Sequence, residues 1–243
     1  MTDAAGSPDP ASATDAAALV SRLEALATPE ERQKYTRFFP PDDSAPFIGV
    51  RMGAVFDVAK TALDLPVAEL EALLEQPTHE VRALACSIMG KSASHRRAPE
   101  SRRHELYDLY LRRHDRIDQW DLVDLAARDV VGAWLLERDR SPLGRLAASG
   151  AWPERRTALV ATFAFLKRGE LDDAYAIAET LAADQEPYVA KALGWVLRSA
   201  GDLDRPRLTA FLEPRAAGMP RVALRAALEH FDKPERARIL AIG

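Results

Sequence analysis

Helix starts recur along this chain, and strand signals hardly occur. Thr28-Pro29-Glu30-Glu31 combines a threonine suited to capping, a proline whose fixed φ suits the first helical position, and a glutamate three residues beyond the cap. Ser141-Pro142, Glu186-Pro187 and Asp232-Lys233-Pro234 repeat the proline-at-start device. Val and Ile are scattered at helical spacings and no alternating run of useful length appears, so the expected fold is all-α. The pattern predicts thirteen or fourteen helices, over 14–27, 29–38, 52–63, 66–75, 78–92, 99–114, 118–137, 142–149, 153–168, 170–183, 186–200, 204–212, 218–231 and 233–241. Short connections make consecutive helices antiparallel neighbours. Several helices, such as PYVAKALGWVLRSA (187–200), are apolar on more than one side. A helix covered on both flanks belongs in a stack of helical pairs. No strict repeat is visible, which leaves an irregular bundle as the alternative, but pairs of about 35–45 residues fit a degenerate HEAT-like solenoid whose concave face takes a large partner. Residues 1–14 are small and polar with no apolar period and are expected to be a disordered acidic tail, followed by a single domain over 15–243.

Composition narrows the function classes. A chain of 243 residues that is 47% apolar can bury a real core without staples. Its single cysteine, Cys86, excludes a disulfide framework and fits a reducing cytoplasm, of the bacterial cytosol or nucleoid type. No apolar run approaches the ~20 residues of a membrane span, and the N-terminus lacks a basic stretch followed by an apolar one, so neither insertion nor secretion is expected. The formal charge of −4 argues mildly against nucleic acid until it is resolved by position. Residues 1–30 hold Asp3, Asp9, Asp15, Glu24 and Glu30 against Arg22, which leaves 32 basic and 32 acidic groups in the remainder. Within that neutral body, residues 79–116 carry nine Lys or Arg against five acids, with four histidines interspersed. That segment is either a solvated face or a local anion-binding surface.

The most informative stretch is Asp118-Gln119-Trp120-Asp121-Leu122-Val123-Asp124. Asp118 and Asp121 suit an N-cap and a first-turn carboxylate favoured by the helix dipole. Asp124 is different. On a 3.6-residue helix Trp120, Asp124, Ala127, Val131, Trp134 and Leu135 share one face, so a carboxylate sits inside an apolar stripe. An ionised group there costs several kcal/mol unless paired, so Asp124 either meets a buried arginine or lines a cleft. Candidate partners are Arg155 and Arg156, near a helix start after Trp152-Pro153, whose planar forks can hold a carboxylate or a phosphate. Gly194-Trp195 sets a small residue beside a large aromatic, which lets something approach the helix; otherwise Trp195 is core.

Trp120, Asp124, Arg156 and Trp195 together give the chain a resemblance to the DNA alkylation repair glycosylases of the AlkD type. The resemblance runs from about Phe47 to the C-terminus, through Phe47-Ile48-Gly49-Val50-Arg51, His79-Glu80-Val81-Arg82, Trp120 to Asp124, Arg156-Thr157-Ala158-Leu159-Val160, Ala192 to Arg198, and Met219-Pro220-Arg221. It implies a right-handed superhelical solenoid of HEAT-like helix pairs with a concave DNA-binding face. It implies a monofunctional glycosylase of base excision repair that removes positively charged alkylated purines, N7-methylguanine and N3-methyladenine, from duplex DNA by hydrolysing the N-glycosidic bond, as a monomer and without a cofactor. Alkylation makes the base a cationic leaving group, so catalysis can come from stabilising the charge that develops on the deoxyribose. By this resemblance Asp124, Trp120 and Arg156 are the catalytic group. Asp124 stabilises the sugar cation and positions water, Trp120 and Trp195 pack around the lesion, and Arg156 holds the adjacent phosphate. Arg155 and Arg198 join Trp195 as residues that contact DNA. Pro153 looks like one extra residue between Trp152 and Arg156, which leaves the phosphate role open between Arg155 and Arg156, although the Arg-Thr-Ala-Leu-Val register favours Arg156.

Other chemistry is thin. The five histidines show no metal-ligand spacing, no glycine-rich phosphate loop follows a strand, and Cys86 lies on an apolar helix as a structural thiol does. The competing readings are a non-catalytic helical module that binds damaged or branched DNA and a HEAT-like protein-interaction scaffold. The scaffold has no need of a carboxylate inside an apolar stripe.

Overall fold

The computed structural model describes residues 15–35 and 46–242, and every regular element among them is helical. The proposed tail 1–14 and the end of the helix expected over 29–38 lie outside the described residues. The chain divides into two compact units, with the boundary between Ala85 and Cys86.

The first unit holds α1 (Ala16–Glu24), α2 (Pro29–Tyr35), α3 (Met52–Lys60), α4 (Val67–Glu75) and the start of α5 (His79–Ser94). Local chemistry sets its helix starts. Asp15 accepts the Ala18 N–H at 2.7 Å, and Thr28 Oγ1 accepts the Glu31 N–H at 3.2 Å, as the Thr-Pro-Glu-Glu pattern requires. Leu19 and Leu23 of α1 are buried with Leu70, Leu73 and Leu74 of α4. The landmarks Phe47–Val50 and His79-Glu80 meet in this unit. The buried Glu80 carboxylate accepts the N–H groups of Ile48, Gly49 and Val50 at 3.2, 2.7 and 3.2 Å, which satisfies a segment without secondary structure. Gly49 adopts φ +96°, and a Cβ there would lie 2.3 Å from the Thr28 carbonyl oxygen, so this turn requires glycine.

The second unit continues α5 into α6 (Glu100–Arg112), a 3₁₀ turn (His114–Arg116), α7 (Trp120–Ala126), a π-helical turn (Ala127–Gly132), α8 (Ala133–Leu135), α9 (Ser141–Ala147), α10 (Trp152–Ala161), α11 (Phe163–Leu166), α12 (Asp172–Leu181), α13 (Pro187–Leu203), α14 (Arg205–Leu212), α15 (Arg221–Ala227) and α16 (Lys233–Leu240). The predicted Glu186 and Asp232 starts are real caps, accepting the Tyr188 and Glu235 N–H groups at 3.3 and 2.8 Å. The long α13 is central, packed against α10, α12, α14 and α15 through a face that includes Val189, Leu193, Val196 and Leu197.

Three expectations are corrected. The helix expected over 118–137 is interrupted by the π turn, so the face running from Trp120 to Trp134 is not continuous. Trp134 instead stacks on His104, with centroids 5.0 Å apart, beneath the Arg138 guanidinium. Asp118 is not the N-cap of that helix: α7 begins at Trp120 and Gln119 occupies the cap position, although Asp121 does lie in the first turn. The helix expected over 153–168 divides at Thr162, whose hydroxyl donates to the Leu159 carbonyl at 2.6 Å.

Candidate active site

Asp124 stands on the second turn of α7, just before the π turn. A π turn inside an α-helix often marks a functional site, because it shifts the register of the side chains around it. Two close helix approaches hold this region. A Cβ at Gly132 would lie 2.1 Å from the Ala161 carbonyl oxygen, and one at Gly90 would lie 2.3 Å from that of Leu125. Both positions therefore require glycine, and they bring α10 and α5 against the segment that carries Asp124.

The question raised by the buried carboxylate has a geometric answer: Asp124 meets a buried arginine and also lines a cavity. Arg156 Nε donates to Asp124 Oδ1 at 3.0 Å and Nη2 donates to Oδ2 at 2.7 Å, while Nη1 donates to the Tyr188 carbonyl at 2.5 Å. One guanidinium thus joins α7, α10 and the start of α13. The Arg156 side chain is 6% exposed and that of Asp124 is 23% exposed, so the carboxylate is the member of the pair that faces outward. Burial raises the Asp124 pKa, the hydrogen bonds and charge of Arg156 oppose that rise, and the nearby Asp121 adds to it.

The cavity in front of Asp124 has a volume of about 660 Å³. Its wall includes Leu125, Phe163 and Trp195 as apolar surface and Lys91 and Lys167 as cations. Trp195 is 37% exposed, an unusual state for a tryptophan on an apolar helix, and its ring lies 4.3 Å from that of Phe163. Lys167 is exposed and has no ion-pair partner among the described residues, whereas Arg128, also in the wall, is bound by Asp129 at 2.8 Å. Among the described residues no group of three His, Cys, Asp or Glu side chains is placed to hold a metal ion.

The other predicted site residues take varied positions. Trp120 is half-buried at the start of α7, one turn before Asp124, and does not line the cavity. Arg155 turns away from Asp124: its Nε donates to Asp184 Oδ2 at 2.7 Å and its Nη1 to the carbonyls of Ser149 and Gly150 at 3.0 and 2.9 Å. Arg198 is half-buried and paired with Glu229. The approach expected at Gly194 is made by another helix, since a Cβ there would lie 2.7 Å from Ala226 Cβ and 2.8 Å from the Ala223 carbonyl oxygen of α15. Sequence reasoning missed Phe163, Lys167 and the Tyr188 carbonyl. Only Phe163 carried a signal, seven residues and two turns beyond Arg156.

The fold and site define a class: an all-helical protein with an arginine-clamped carboxylate at the foot of a cavity lined by aromatic and cationic side chains. The profile of the DNA alkylation repair enzyme family matches residues 19–231, and the chain belongs to that family. Membership carries a role in DNA repair and binding of DNA. A solved structure described as a predicted DNA alkylation repair enzyme from Enterococcus faecalis has a similar fold, with a TM-score of 0.66 over 86% of this chain and 98% of that one at 17% identity. The sequence matches no curated protein. Among the described residues, no helix is long and apolar enough to cross a membrane.

Proposed function

We propose that the protein is a monofunctional DNA glycosylase that excises positively charged alkylated purines such as N7-methylguanine and N3-methyladenine from duplex DNA, acting as a monomer. The observation that carries the reading is the Asp124 carboxylate, withdrawn from water yet facing a cavity, with both oxygens fixed by Arg156. Bidentate pairing with a guanidinium is the geometry of an ionised carboxylate, so the negative charge is in place before substrate arrives. As the N-glycosidic bond lengthens, the purine leaves with the bonding electron pair, which neutralises its cationic ring, and positive charge grows on the deoxyribose. A fixed carboxylate in a poorly hydrated site stabilises that charge without having to reorganise. It also accepts a hydrogen bond from the water that attacks C1′.

Arg156 acts in this scheme as the residue that positions Asp124, because three of its nitrogens already donate to Asp124 and Tyr188. Phosphate contact beside the lesion falls to Lys167, a wall cation without an ion-pair partner among the described residues, together with Lys91. The half-exposed Trp195 offers a flat apolar surface for the deoxyribose and an electron-rich face for a cationic base. Trp120 stands at the start of α7, one turn before Asp124.

Release of N7-methylguanine from methylated duplex DNA tests the reading. Wild-type protein releases the base, and Asp124→Asn lowers the single-turnover rate by about 100-fold or more while duplex affinity is retained. Absence of release by wild-type protein overturns the enzyme reading in favour of a non-catalytic DNA-binding module.

A further inference from the structure

Within the second unit, the arginines that follow α5 divide into two groups. Arg102 donates from Nε to Ser92 Oγ at 3.2 Å. Arg103 donates to the carbonyls of Ala93 and His95 at 3.0 and 3.3 Å. These two face inward and pin the end of α5 to the start of α6. Arg96 and Arg97, between them in sequence, are exposed, and neither side chain has an ion-pair partner among the described residues. The three acids of the neighbouring α6 each face another partner: Glu100 pairs with Arg138, Glu105 lies 3.8 Å from Arg102, and Asp108 lies 3.3 Å from His104. The turn carries an uncompensated double positive charge.

The turn is also held in shape. The His95 N–H donates to the Ser92 carbonyl at 3.2 Å, and the Ala98 N–H to the His95 carbonyl at 2.9 Å. His95 Nδ1 accepts the Arg97 N–H at 3.3 Å, and Pro99 then opens α6 with its fixed φ of −67°. Lys91 and Ser94, in the last turn of α5, line the cavity that holds Asp124, and the turn begins at the next residue. Adjacent arginine side chains repel one another, so a protein that displays two of them on one braced turn without an acid between them has a surface prepared for an anion.

We propose that the turn His95–Ala98 is a second DNA contact, in which Arg96 and Arg97 bind successive backbone phosphates beside the nucleotide held in the cavity. The inference rests on the DNA-repair reading above. Each guanidinium presents the fork that matches a phosphate, and the braced backbone reduces the ordering cost of binding. It also explains how a body with equal numbers of basic and acidic groups binds a polyanion: the charge that matters is concentrated on one turn at the rim of the site.

The test is fluorescence-anisotropy titration of the full chain with an undamaged labelled duplex over a range of salt concentrations, with circular dichroism to check the fold of each variant. For the double variant Arg96→Ala/Arg97→Ala, the slope of log K against log salt becomes less steep by about 1.8, the contribution of two phosphate contacts, and affinity at low salt falls by about tenfold or more. Arg96→Lys/Arg97→Lys retains most of the slope. A wild-type slope that the double alanine variant leaves unchanged overturns the contact and leaves the DNA-repair reading standing. Wild-type protein that binds no duplex at any salt overturns both. If duplex binding is unchanged while affinity for polyglutamate is lost, the surface belongs to an acidic protein partner and the inference fails.

Discussion

The clamp between Asp124 and Arg156 predicts a specific pattern in a double-mutant cycle. Breaking a buried ion pair from one side costs about 3–5 kcal/mol, because the remaining charge is left without a partner. The two sides are not equivalent here. Arg156→Met leaves a carboxylate that is 23% exposed and can draw in water, so its cost falls just below that range, about 2–3 kcal/mol. Asp124→Leu leaves a guanidinium that is only 6% exposed but keeps its bond to the Tyr188 carbonyl, for a cost of about 3 kcal/mol. Combining the two removes both charges and leaves the Tyr188 carbonyl to find another donor, so the double variant loses only about 1–2 kcal/mol. The coupling energy is then about 3–5 kcal/mol, far outside the roughly 0.5 kcal/mol scatter of independent sites. Urea unfolding at pH 7, followed by far-ultraviolet circular dichroism, measures it. Additive losses would refute the clamp.

The sign of the pH dependence gives the same cycle an internal check. The folded-state pKa of Asp124 is raised above 3.8 because burial outweighs the opposing effect of Arg156. An acid raised on folding contributes stability only while protonated, so its contribution is fully present below the unfolded pKa and lost as pH rises through the folded one. The ionised carboxylate therefore reduces stability at neutral pH. In Arg156→Met the opposing effect is gone, the pKa rises further, and the variant regains stability on mild acidification over a wider range than wild type. A variant that instead loses stability relative to wild type between pH 7 and 5 would contradict this assignment of causes.

Three further predictions concern the elements that support the site. Buried Thr157 Oγ1 lies 2.9 Å from Tyr110 Oη and 2.8 Å from His114 Nε2, so Thr157→Val strands two polar groups and costs about 2–3 kcal/mol in urea unfolding, while Thr157→Ser costs under about 1 kcal/mol. Burial lowers the His114 pKa below 6.5, so its neutral ring contributes stability that is present above that value and lost as pH falls through the depressed one; His114→Gln should flatten this part of the wild-type stability profile. Gly132→Ala forces a methyl group against the Ala161 carbonyl and lowers stability by about 2 kcal/mol or more, whereas Gly144→Ala, with nothing within 4 Å of the new methyl, raises it by about 0.5–1 kcal/mol. Equal effects at the two glycines, measured by thermal melting, would show that the π turn is not held by α10.

What could be read from the sequence, and what could not, follows the range of the interactions. The starts at Thr28, Glu186 and Asp232 were legible because a cap is made within three residues. Asp124 was legible because a charge in an apolar stripe is anomalous under any helical packing, and Arg156 because few other groups nearby could answer it. The π turn was not legible. It forms where Gly132 meets a carbonyl of α10, and nothing in Ala-Arg-Asp-Val-Val-Gly announces a partner 29 residues away. Charge availability was equally hidden. Lys167 and Arg168 are adjacent cations, yet Arg168 is paired with Glu137 while Lys167 lines the cavity with no ion-pair partner among the described residues. Arg155 and Arg156 present the same contrast, one tied to Asp184 and the other to Asp124. In the basic segment, Arg102 and Arg103 brace the backbone that displays Arg96 and Arg97. A count of basic residues cannot separate a cation already matched by the fold from one left for a ligand. That is why the formal charge of −4 said so little about DNA, and why the informative quantity is the number of cations at the rim of the site that the fold leaves unmatched.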